Sequence, residues 1–247
     1  MKIALITGAS RGIGAAVALA CAEQGWDLAL NYAQGAPAAN ALAERIRALG
    51  RRALPLQADV SDEAQVRAMF TRIDEELGRL DALVNNAGIV ARAARLDEMS
   101  VERWQRVFGV NVIGTLLCSR EAVKRMSTRH GGAGGSIVNL SSRAAQLGSP
   151  NLYVDYAASK GAIDSLTIGL GRELIGEGIR VNGVRPGIID TDIHSDAAAP
   201  DLLRAGLATI PLQRMGTAAE VAQAVCWLLS EASSYTVGAT LDVTGGR

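Results

Sequence analysis

Tyr156 and Lys160 are four residues apart in a segment with helical periodicity. This spacing places both side chains on one face of a helix, about one turn apart. A free tyrosine has a pKa of about 10, but a nearby ammonium group favours the phenolate and lowers that pKa. The pair can therefore move a proton to or from an alcohol oxygen. A Tyr-x-x-x-Lys pair alone usually marks an exposed helix face, but here the polar strand end Ser141-Ser142 precedes it.

A glycine-rich segment, TGASRGIG at residues 7–14, lies between the first apolar run and the first helical pattern. Glycines let the backbone approach a diphosphate closely, and a helix N-terminus supplies free N–H groups and partial positive charge. Because a strand precedes this segment and a helix follows it, the segment predicts a dinucleotide site rather than a plain turn. The predicted contacts are Gly8, Ser10, Arg11, Gly12, Ile13 and Gly14.

The end of the second predicted strand bears on the choice of nucleotide. Dinucleotide-binding folds place an acidic residue there to bind the ribose 2′-hydroxyl. This strand ends instead with Asn31 and Tyr32, and Arg11 projects from the glycine-rich segment. A missing acid and a nearby guanidinium favour a 2′-phosphate, and therefore NADP(H) over NAD(H). Two alternatives remain: Arg11 is only a solvated loop charge, or Asn31 contacts the ribose of NAD(H).

Two further strand ends carry polar groups. Asp59 and Val60 follow the third strand, where the carboxylate could accept from an adenine amino group or cap the helix that begins near Ser61. The fourth strand ends in NNAG, which could be a simple turn. In an open α/β sheet, however, ligands bind at the carboxyl ends of the strands. This favours cofactor contacts from Asn86, Ala87 and Gly88.

Strands and helices alternate along the chain to position these residues. Seven apolar runs predict strands, at Lys2–Thr7, Asp27–Tyr32, Ala53–Gln57, Asp81–Asn85, Ser136–Ser141, Ile179–Val184 and Ala239–Val243. Six helical patterns lie between them, at 13–24, 38–49, 61–77, 101–125, 156–175 and 217–229. The GGAGG run at 131–135 predicts a flexible surface turn. The alternation predicts an α/β fold: one doubly wound Rossmann domain over residues 1–247, with about seven parallel strands and helices on both faces.

Composition excludes several other classes of protein. The 247 residues include 25 basic and 25 acidic side chains, so nothing indicates a nucleic-acid-binding protein. No apolar run reaches the ~18 residues of a membrane helix, and the apolar start is too short for a secretory signal. We therefore expect a soluble cytoplasmic protein with no metal site. The three cysteines, none in a CxxC pair, are expected to be reduced buried thiols: Cys21, Cys118 and Cys226.

Together these motifs resemble the short-chain dehydrogenase/reductase family, over nearly the whole chain. The resemblance rests on TGASRGIG at Thr7–Gly14, Asp59, NNAG at Asn85–Gly88, Asn111 in VNV, LSS at Leu140–Ser142, YAASK at Tyr156–Lys160 and PGIIDT at Pro186–Thr191. The GxxxGxG spacing differs from the GxxGxxG of the longer sugar-nucleotide epimerase branch. The order and spacing of the motifs make the resemblance specific.

The resemblance implies roles for four residues. Tyr156 would be the catalytic acid/base, and Lys160 would lower its pKa and hold the nicotinamide ribose. Ser142 would hydrogen-bond the substrate oxygen, being the second serine of its pair. Asn111 would hold a water in a proton relay.

The resemblance also implies contacts beyond the sixth strand. Pro186-Gly187 would touch the nicotinamide, with Ile189 binding through its backbone and Thr191 through its hydroxyl. The segment 188–211 would be a mobile lid over the substrate. Two side chains there have open roles: His194 as a substrate contact or an exposed loop residue, and Tyr153 as part of the pocket or of an interface.

The resemblance leaves the substrate less defined. Glu177 stands where acyl-carrier-protein reductases of the family often have a basic residue, although Arg125 and Arg129 could serve such a partner. The stretch YVDYAASK resembles relatives that oxidise sugars and small alcohols. We expect an NADP(H)-dependent enzyme that interconverts a small carbonyl compound and its secondary alcohol. The alternatives are a 3-oxoacyl-(acyl-carrier-protein) reductase, another reaction such as dehydration or epimerisation, and a non-catalytic nucleotide sensor.

Relatives of this kind are commonly tetramers that assemble through the two long helices and the C-terminal segment. The Ala/Gly-rich faces of 101–125 and 161–175 suit close helix contact. The resemblance therefore implies a homotetramer.

Overall fold

A parallel sheet of seven strands lies at the centre of the structure, a computed structural model that describes residues 2–191 and 207–247. Its strands are β1 Ile3–Ile6, β2 Asp27–Tyr32, β3 Ala53–Gln57, β4 Ala82–Asn85, β5 Gly135–Leu140, β6 Ile179–Pro186 and β9 Thr240–Val243, in the spatial order β3-β2-β1-β4-β5-β6-β9. A small second sheet pairs β7 Ile189–Asp190 with β8 Gly216–Thr217. The predicted doubly wound α/β fold is confirmed.

Helices cover both faces of this sheet. They are α1 Gly12–Glu23, α2 Ala36–Ala48, α3 Glu63–Glu76, α4 Val101–Phe108, α5 Gly114–Met126, α6 Ala144–Leu147, α7 Val154–Leu174 and α8 Ala218–Leu229. The strands are buried on both sides because alternate residues face different helices. In β1, Ala4 and Ile6 pack with α1, α2 and α8, whereas Ile3 and Leu5 pack with α3 and α5. Within the described residues, no helix is long and apolar enough to cross a bilayer.

The order of the strands creates a crevice at one edge of the sheet. The chain moves outward from β1 through β2 to β3, and then returns so that β4 pairs with the other side of β1. The loops after β1 and β4 therefore leave the sheet in different directions. Ligands of open α/β sheets bind at such a switch point, at the carboxyl ends of the strands.

The helix predicted over 101–125 is interrupted at its centre. α4 ends at Phe108, a π-helical turn covers Gly109–Ile113, and α5 begins at Gly114. The amide of Gly114 donates to the carbonyl of Gly109, five residues earlier. Such a turn inserts one extra residue and often lies at a functional position. Here it contains Asn111, whereas the sequence predicted an uninterrupted helix.

The GGAGG run is not simply a flexible surface turn. Gly131 is exposed, but three later glycines lie against other backbone segments. A Cβ on Gly132 would lie 2.3 Å from the carbonyl oxygen of Met126, and one on Gly135 would lie 2.3 Å from that of Asp81. The prediction was wrong for this part of the run, because close backbone packing rather than flexibility requires the glycines.

The buried cysteines include a pair that the sequence did not reveal. Cys21 on α1 and Cys226 on α8 have their Sγ atoms 3.7 Å apart, where the two helices pack together. Both are free thiols, as is the buried Cys118 on α5. The contact arises because residues 205 positions apart in the sequence meet on adjacent helices.

The segment expected to form a lid is described only at its ends. Residues 192–206, which include His194, lie outside the described residues. Before them, β7 follows β6 directly, and after them β8 leads into α8. Pairing between β7 and β8 therefore fixes both ends of the segment beside the sheet.

Candidate active site

The loop between β1 and α1 requires its glycines for two reasons. Gly8 and Gly12 have φ angles of 63° and 57°, which glycine adopts without strain. A Cβ on Gly14 would lie 2.4 Å from the carbonyl oxygen of Gly8, so only glycine lets α1 begin this close to β1. A Cβ on Gly12 would meet no described atom closer than Thr191, at 3.5 Å. A residue with a side chain at position 12 would thus contact Thr191, which lies opposite the N-terminus of α1.

Side chains from two strand ends hold this loop in place. The hydroxyl of Thr7 accepts from the amides of Asn86 and Ala87, both at 3.0 Å. The side-chain amide of Asn86 in turn donates to the carbonyls of Thr7 and Gly8, at 2.8 and 3.0 Å. The NNAG segment and the glycine-rich loop thus form one rigid unit. Asn86 shapes the predicted cofactor site through its side chain.

Asn31 also fixes the backbone around the site. Its side chain is only 1% exposed, its Oδ1 accepts from the amide of Gly8 at 3.2 Å, and its Nδ2 donates to the carbonyl of Ala58 at 3.0 Å. These bonds tie the ends of β2 and β3 to the glycine-rich loop. The predicted ribose contact of Asn31 stays a prediction, and the geometry favours a tie between loops instead.

A groove of about 630 Å³ runs along the strand ends beside this loop. Most of the predicted cofactor contacts line it, together with the segment that follows β2. Its lining includes Gly8, Ser10, Arg11, Gly12, Ile13, Asn31, Tyr32, Ala33, Gln34, Gly35, Asp59, Val60, Asn86, Ala87, Gly88 and Thr191. Arg11, the exposed N-cap residue of α1, lies at this groove.

The carboxylate of Asp59 is held by its neighbours. It accepts from the amide and hydroxyl of Ser61, at 2.9 and 2.6 Å, and from Arg106 at 2.9 Å. Burial raises the pKa of Asp59, but these hydrogen bonds outweigh it and leave the pKa below its usual value. The alternative that Asp59 caps α3 was wrong, because Asp62 accepts from Gln65 as the N-cap.

Tyr156 and Lys160 share one face of α7, as their spacing predicts. The ammonium of Lys160 lies 5.7 Å from the centre of the Tyr156 ring and donates to the carbonyl of Leu140 at 2.6 Å. Burial lowers the pKa of Lys160 to about 8, against the charge of Asp164. Burial also raises the pKa of Tyr156, and a hydrogen bond with Ser142 opposes that rise only in part. Burial therefore dominates at Tyr156 in this structure, and the lowering of its pKa expected from Lys160 stays a prediction.

The two serines at the end of β5 have different surroundings. The hydroxyl of Ser141 is buried and donates to the carbonyl of Lys160 at 3.1 Å. The hydroxyl of Ser142 accepts from the amide of Ala144 at 3.1 Å and hydrogen-bonds Tyr156. Ser142 is therefore the serine beside the tyrosine hydroxyl, which favours the choice made from the sequence.

Asn111 connects the π-helical turn to the strand end of β4. Its Oδ1 accepts from the amide of Ile89 at 2.8 Å, and its Nδ2 donates to the carbonyl of Ile89 and to Ser159, both at 3.0 Å. A Cβ on Gly88 would lie 3.5 Å from both the Oδ1 of Asn111 and the Nζ of Lys160. Asn111 thus holds the loop that borders Lys160, and its predicted water relay stays a prediction.

A cavity of about 480 Å³ opens above these groups. It shares Ile13, Asn86, Gly88, Val90 and Thr191 with the groove, so the two spaces adjoin. Its walls include the expected catalytic groups, the predicted nicotinamide contacts and Tyr153. They also include two arginines, which the sequence analysis did not single out. The lining includes Ser141, Ser142, Arg143, Tyr153, Tyr156, Lys160, Pro186, Gly187, Ile188, Ile189, Thr191 and Arg247.

Comparison with known proteins places this chain in a family. A family model described as enoyl-(acyl carrier protein) reductase matches residues 8–247. A crystal structure of a short chain dehydrogenase from Burkholderia cenocepacia J2315, in complex with NADP, is 38% identical and superimposes with a TM-score of 0.91, over 99% of this chain and 97% of that one. The chain belongs to the short-chain dehydrogenase/reductase family. The resemblance inferred from its motifs is confirmed.

Two curated members of the short-chain dehydrogenase/reductase family are similar over their full length. An uncharacterized oxidoreductase of Escherichia coli K12, YgfF, is 53% identical over 100% of both chains. The 3-oxoacyl-(acyl-carrier-protein) reductase FabG of Staphylococcus aureus Mu50 is 40% identical over 99% of this chain and 97% of its own.

In this short-chain dehydrogenase/reductase, the structure gathers the predicted residues at the carboxyl edge of one sheet. Ser142, Tyr156 and Lys160 line the cavity, and Asn111 lies just behind it. Sequence reasoning missed Arg143 and Arg247. The first could have been found from its position directly after Ser142, but nothing in the sequence shows that the C-terminal residue returns to the same cavity.

Proposed function

We propose that this chain is an NADP(H)-dependent oxidoreductase that interconverts a small carbonyl compound and its secondary alcohol. One observation carries the proposal. Ser142, Tyr156 and Lys160 converge in a cavity of about 480 Å³ that adjoins the groove beside the glycine-rich loop. A volume of this size suits a small-molecule substrate.

The groove fits a dinucleotide in shape and chemistry. Gly12 and Ile13 line the groove at the N-terminus of α1, where backbone N–H groups bind phosphate. Arg11 lies at that end of the groove, and the relative from B. cenocepacia was crystallised with NADP. Pro186, Gly187, Ile189 and Thr191 border the cavity beside the tyrosine, where a nicotinamide would lie. The bound nicotinamide would donate or accept the hydride.

Tyr156 supplies the proton in the reductive direction. Because burial raises its pKa, the phenol is neutral at physiological pH and can donate. As hydride arrives at the carbonyl carbon, the tyrosine hydroxyl transfers its proton to the carbonyl oxygen, which gives the alcohol and leaves a phenolate. The hydroxyl of Ser142 binds the same oxygen. In oxidation the proton moves the other way, from the alcohol to the phenolate.

Lys160 would return a proton to Tyr156, and Asn111 would hold a water in that relay. A pKa of about 8 leaves Lys160 mostly protonated at neutral pH but able to exchange its proton. Asn111 holds the loop that borders the ammonium, at Gly88. A chain of this kind lets the phenolate be reprotonated from solvent after each reduction.

Oxidation of NADPH with a panel of ketones, sugars and acetoacetyl thioesters tests the proposal. Tyr156→Phe should lower turnover by about 10²- to 10⁴-fold, because proton transfer is lost, while NADPH binding is retained. Tyr153→Phe is the matched control, since it removes a hydroxyl from the same cavity and should change turnover far less. Unchanged turnover in Tyr156→Phe would refute the assigned acid. If the chain binds NADPH but turns over no member of the panel, the alternative of a non-catalytic nucleotide sensor is favoured.

A 3-oxoacyl-(acyl-carrier-protein) reductase is the second candidate, and the 40% identity to S. aureus FabG favours it. The basic residues that could bind a carrier protein are, however, already paired. Arg125 bonds Asp74 at 2.8 Å and Glu121 at 3.1 Å, and Arg129 lies 3.9 Å from Glu177. Arg125 is thus held within the chain, while Arg129 is exposed and only weakly paired. Turnover confined to the thioester in the panel would reverse the preference.

We also propose that the chain assembles as a homotetramer through its long helices. Apolar side chains are exposed on α4, α5 and α7, where the sequence predicted helix contacts. They are Val101, Phe108, Leu116 and Ile168, with Ile113 in the π-helical turn and Ile175 just after α7. Apolar side chains exposed together commonly mark an interface.

A further inference from the structure

Two arginines lie in the cavity of the proposed catalytic groups. Arg143 directly follows Ser142, and Arg247 is the last residue of the chain. The side chains are neighbours: burial, and then the charge of Arg143, lower the pKa of Arg247. Two like charges near each other in a partly buried place repel, and a bound anion would relieve that repulsion.

The hydrogen-bonding capacity of these arginines is not used up. The Nε of Arg143 is buried and has no hydrogen-bond partner. Its Nη1 bonds Gln146 and lies 3.2 Å from the carboxylate of Asp242. Within the described parts of the chain, no carboxylate pairs with Arg247. A buried unpaired donor is costly, and an acceptor from a ligand would satisfy it.

The charged side chains among the described residues that line the cavity are all basic. Lys160 is a third cationic side chain in its lining, and no aspartate or glutamate is among the described residues that line it. Apolar side chains such as Leu147, Leu152 and Ile188 form much of the remaining wall. This combination suits a short carbon skeleton with a negative group at one end.

A network of ion pairs holds Arg143 at the cavity. Asp242 on β9 lies 3.2 Å from both Arg143 and Arg185, and Arg185 bonds Asp164 on α7 at 2.8 Å. Asp242 thus orients both guanidinium groups, and Arg143 still has a free donor at its buried Nε. The network also connects the last strand to the helix that bears Tyr156.

We infer that the substrate carries a carboxylate or phosphate group, which Arg143 and Arg247 bind while its carbonyl lies between Ser142 and Tyr156. Guanidinium groups bind both anions through paired, charge-assisted hydrogen bonds. This inference rests on the proposed function and narrows its substrate class from small carbonyl compounds to anionic ones.

Matched substrate pairs test this inference with NADPH. Acetoacetate is compared with its ethyl ester, and dihydroxyacetone phosphate with dihydroxyacetone. We expect kcat/KM to be about 10- to 100-fold higher for the anionic member of at least one pair, because hydrogen bonds between charged groups have that effect. A preference in the acetoacetate pair indicates a carboxylate substrate, and a preference in the dihydroxyacetone pair indicates a phosphate. The preference should shrink as ionic strength rises.

Variants show whether the arginines cause the preference. In Arg247→Gln the ratio of kcat/KM for the anionic over the neutral member should fall by about tenfold or more, mainly through KM. Arg143→Gln should act in the same direction. Arg72→Gln is the matched control, because Arg72 pairs with Glu76 on the surface of α3 and should leave the ratio unchanged.

The outcomes separate this inference from the proposed function. If every pair that is reduced gives a ratio near one, or if Arg247→Gln leaves the ratio unchanged, the inference is overturned while the oxidoreductase proposal stands. If neither member of either pair nor any panel compound is reduced, the proposed function fails, and the inference falls with it.

Discussion

Arg103 on α4 forms a bidentate ion pair with Asp155, the residue before Tyr156, through two hydrogen bonds. Its Nε and Nη2 donate to the two carboxylate oxygens at 2.7 and 3.0 Å. The side chain of Asp155 is 3% exposed and that of Arg103 is 14% exposed, so water screens the pair weakly. The pair ties the first turn of α7 to α4, and in that way fixes where Tyr156 stands above the cavity.

Removing Arg103 should destabilise the fold. Arg103→Gln leaves Asp155 buried without its charged partner, which typically costs about 3–5 kcal/mol. Urea unfolding at neutral pH measures this, with Arg72→Gln as a surface control that changes stability by less than about 1 kcal/mol. Equal midpoints for the two variants would contradict a structural role for the pair.

The contribution of this pair should disappear in acid. Burial raises the pKa of Asp155, but the bonds from Arg103 outweigh it, so the pKa lies below its usual value. A carboxyl with a lowered folded-state pKa stabilises above its unfolded pKa of about 4, and that stability is lost as the pH falls through the folded pKa. The difference in unfolding free energy between wild type and Arg103→Gln should therefore shrink below about pH 4. A difference that stays constant with pH would contradict this.

Lys160 should set the alkaline limit of ketone reduction. Its pKa is about 8 because burial lowers it while the charge of Asp164 raises it. Reduction should slow as the pH rises through that value and the ammonium loses its proton. Asp164→Asn removes the opposing charge, so the alkaline limb of kcat should move to lower pH. Asp74→Asn is the control, because Asp74 pairs with Arg125 on the surface of α3 and should leave the limb in place. If the alkaline limb of the kcat profile moves to higher pH in Asp164→Asn, Lys160 does not set that limit.

The features of this fold that could be predicted from the sequence are those determined by residues close together in the chain. A parallel strand buried on both faces has an apolar centre, as β2 has in Leu28–Leu30, and the predicted bounds of β2 match the structure. Tyr156 and Lys160 were also found from spacing, since four residues make about one helical turn. Both features depend only on residues close together in the chain.

Contacts between distant segments could not be predicted in this way. Arg103 and Asp155 are 52 residues apart, and each looks like an ordinary surface charge in the sequence. Asn31, at the end of a strand, suggested a ligand contact, but three segments converge on it in the fold. The pKa of Tyr156 is likewise raised by burial, which comes from segments that are distant in the sequence and only meet in the fold.

Gly14→Ala should abolish NADPH binding by closing the glycine-rich loop. The added Cβ would lie 2.4 Å from the carbonyl oxygen of Gly8 and 2.5 Å from the side-chain nitrogen of Asn86, so the loop must move. Ala15→Gly is the control, because it costs about 1 kcal/mol of helix stability in the same turn without filling any space. Quenching or enhancement of NADPH fluorescence measures binding in both variants. Binding retained by Gly14→Ala would mean that the loop does not hold the cofactor.

Leu116→Glu should break the proposed tetramer. Leu116 is 41% exposed on α5, next to other exposed apolar side chains such as Ile113. Burying a carboxylate in a helix interface is costly, because the charge loses its hydration. Light scattering should therefore give about four times the 25.7 kDa chain mass for wild type and a smaller mass for the variant. Leu49→Glu is the matched control, since Leu49 is 47% exposed at the end of α2 and should leave the assembly intact. A wild-type mass equal to one chain at micromolar concentration would reject the tetramer.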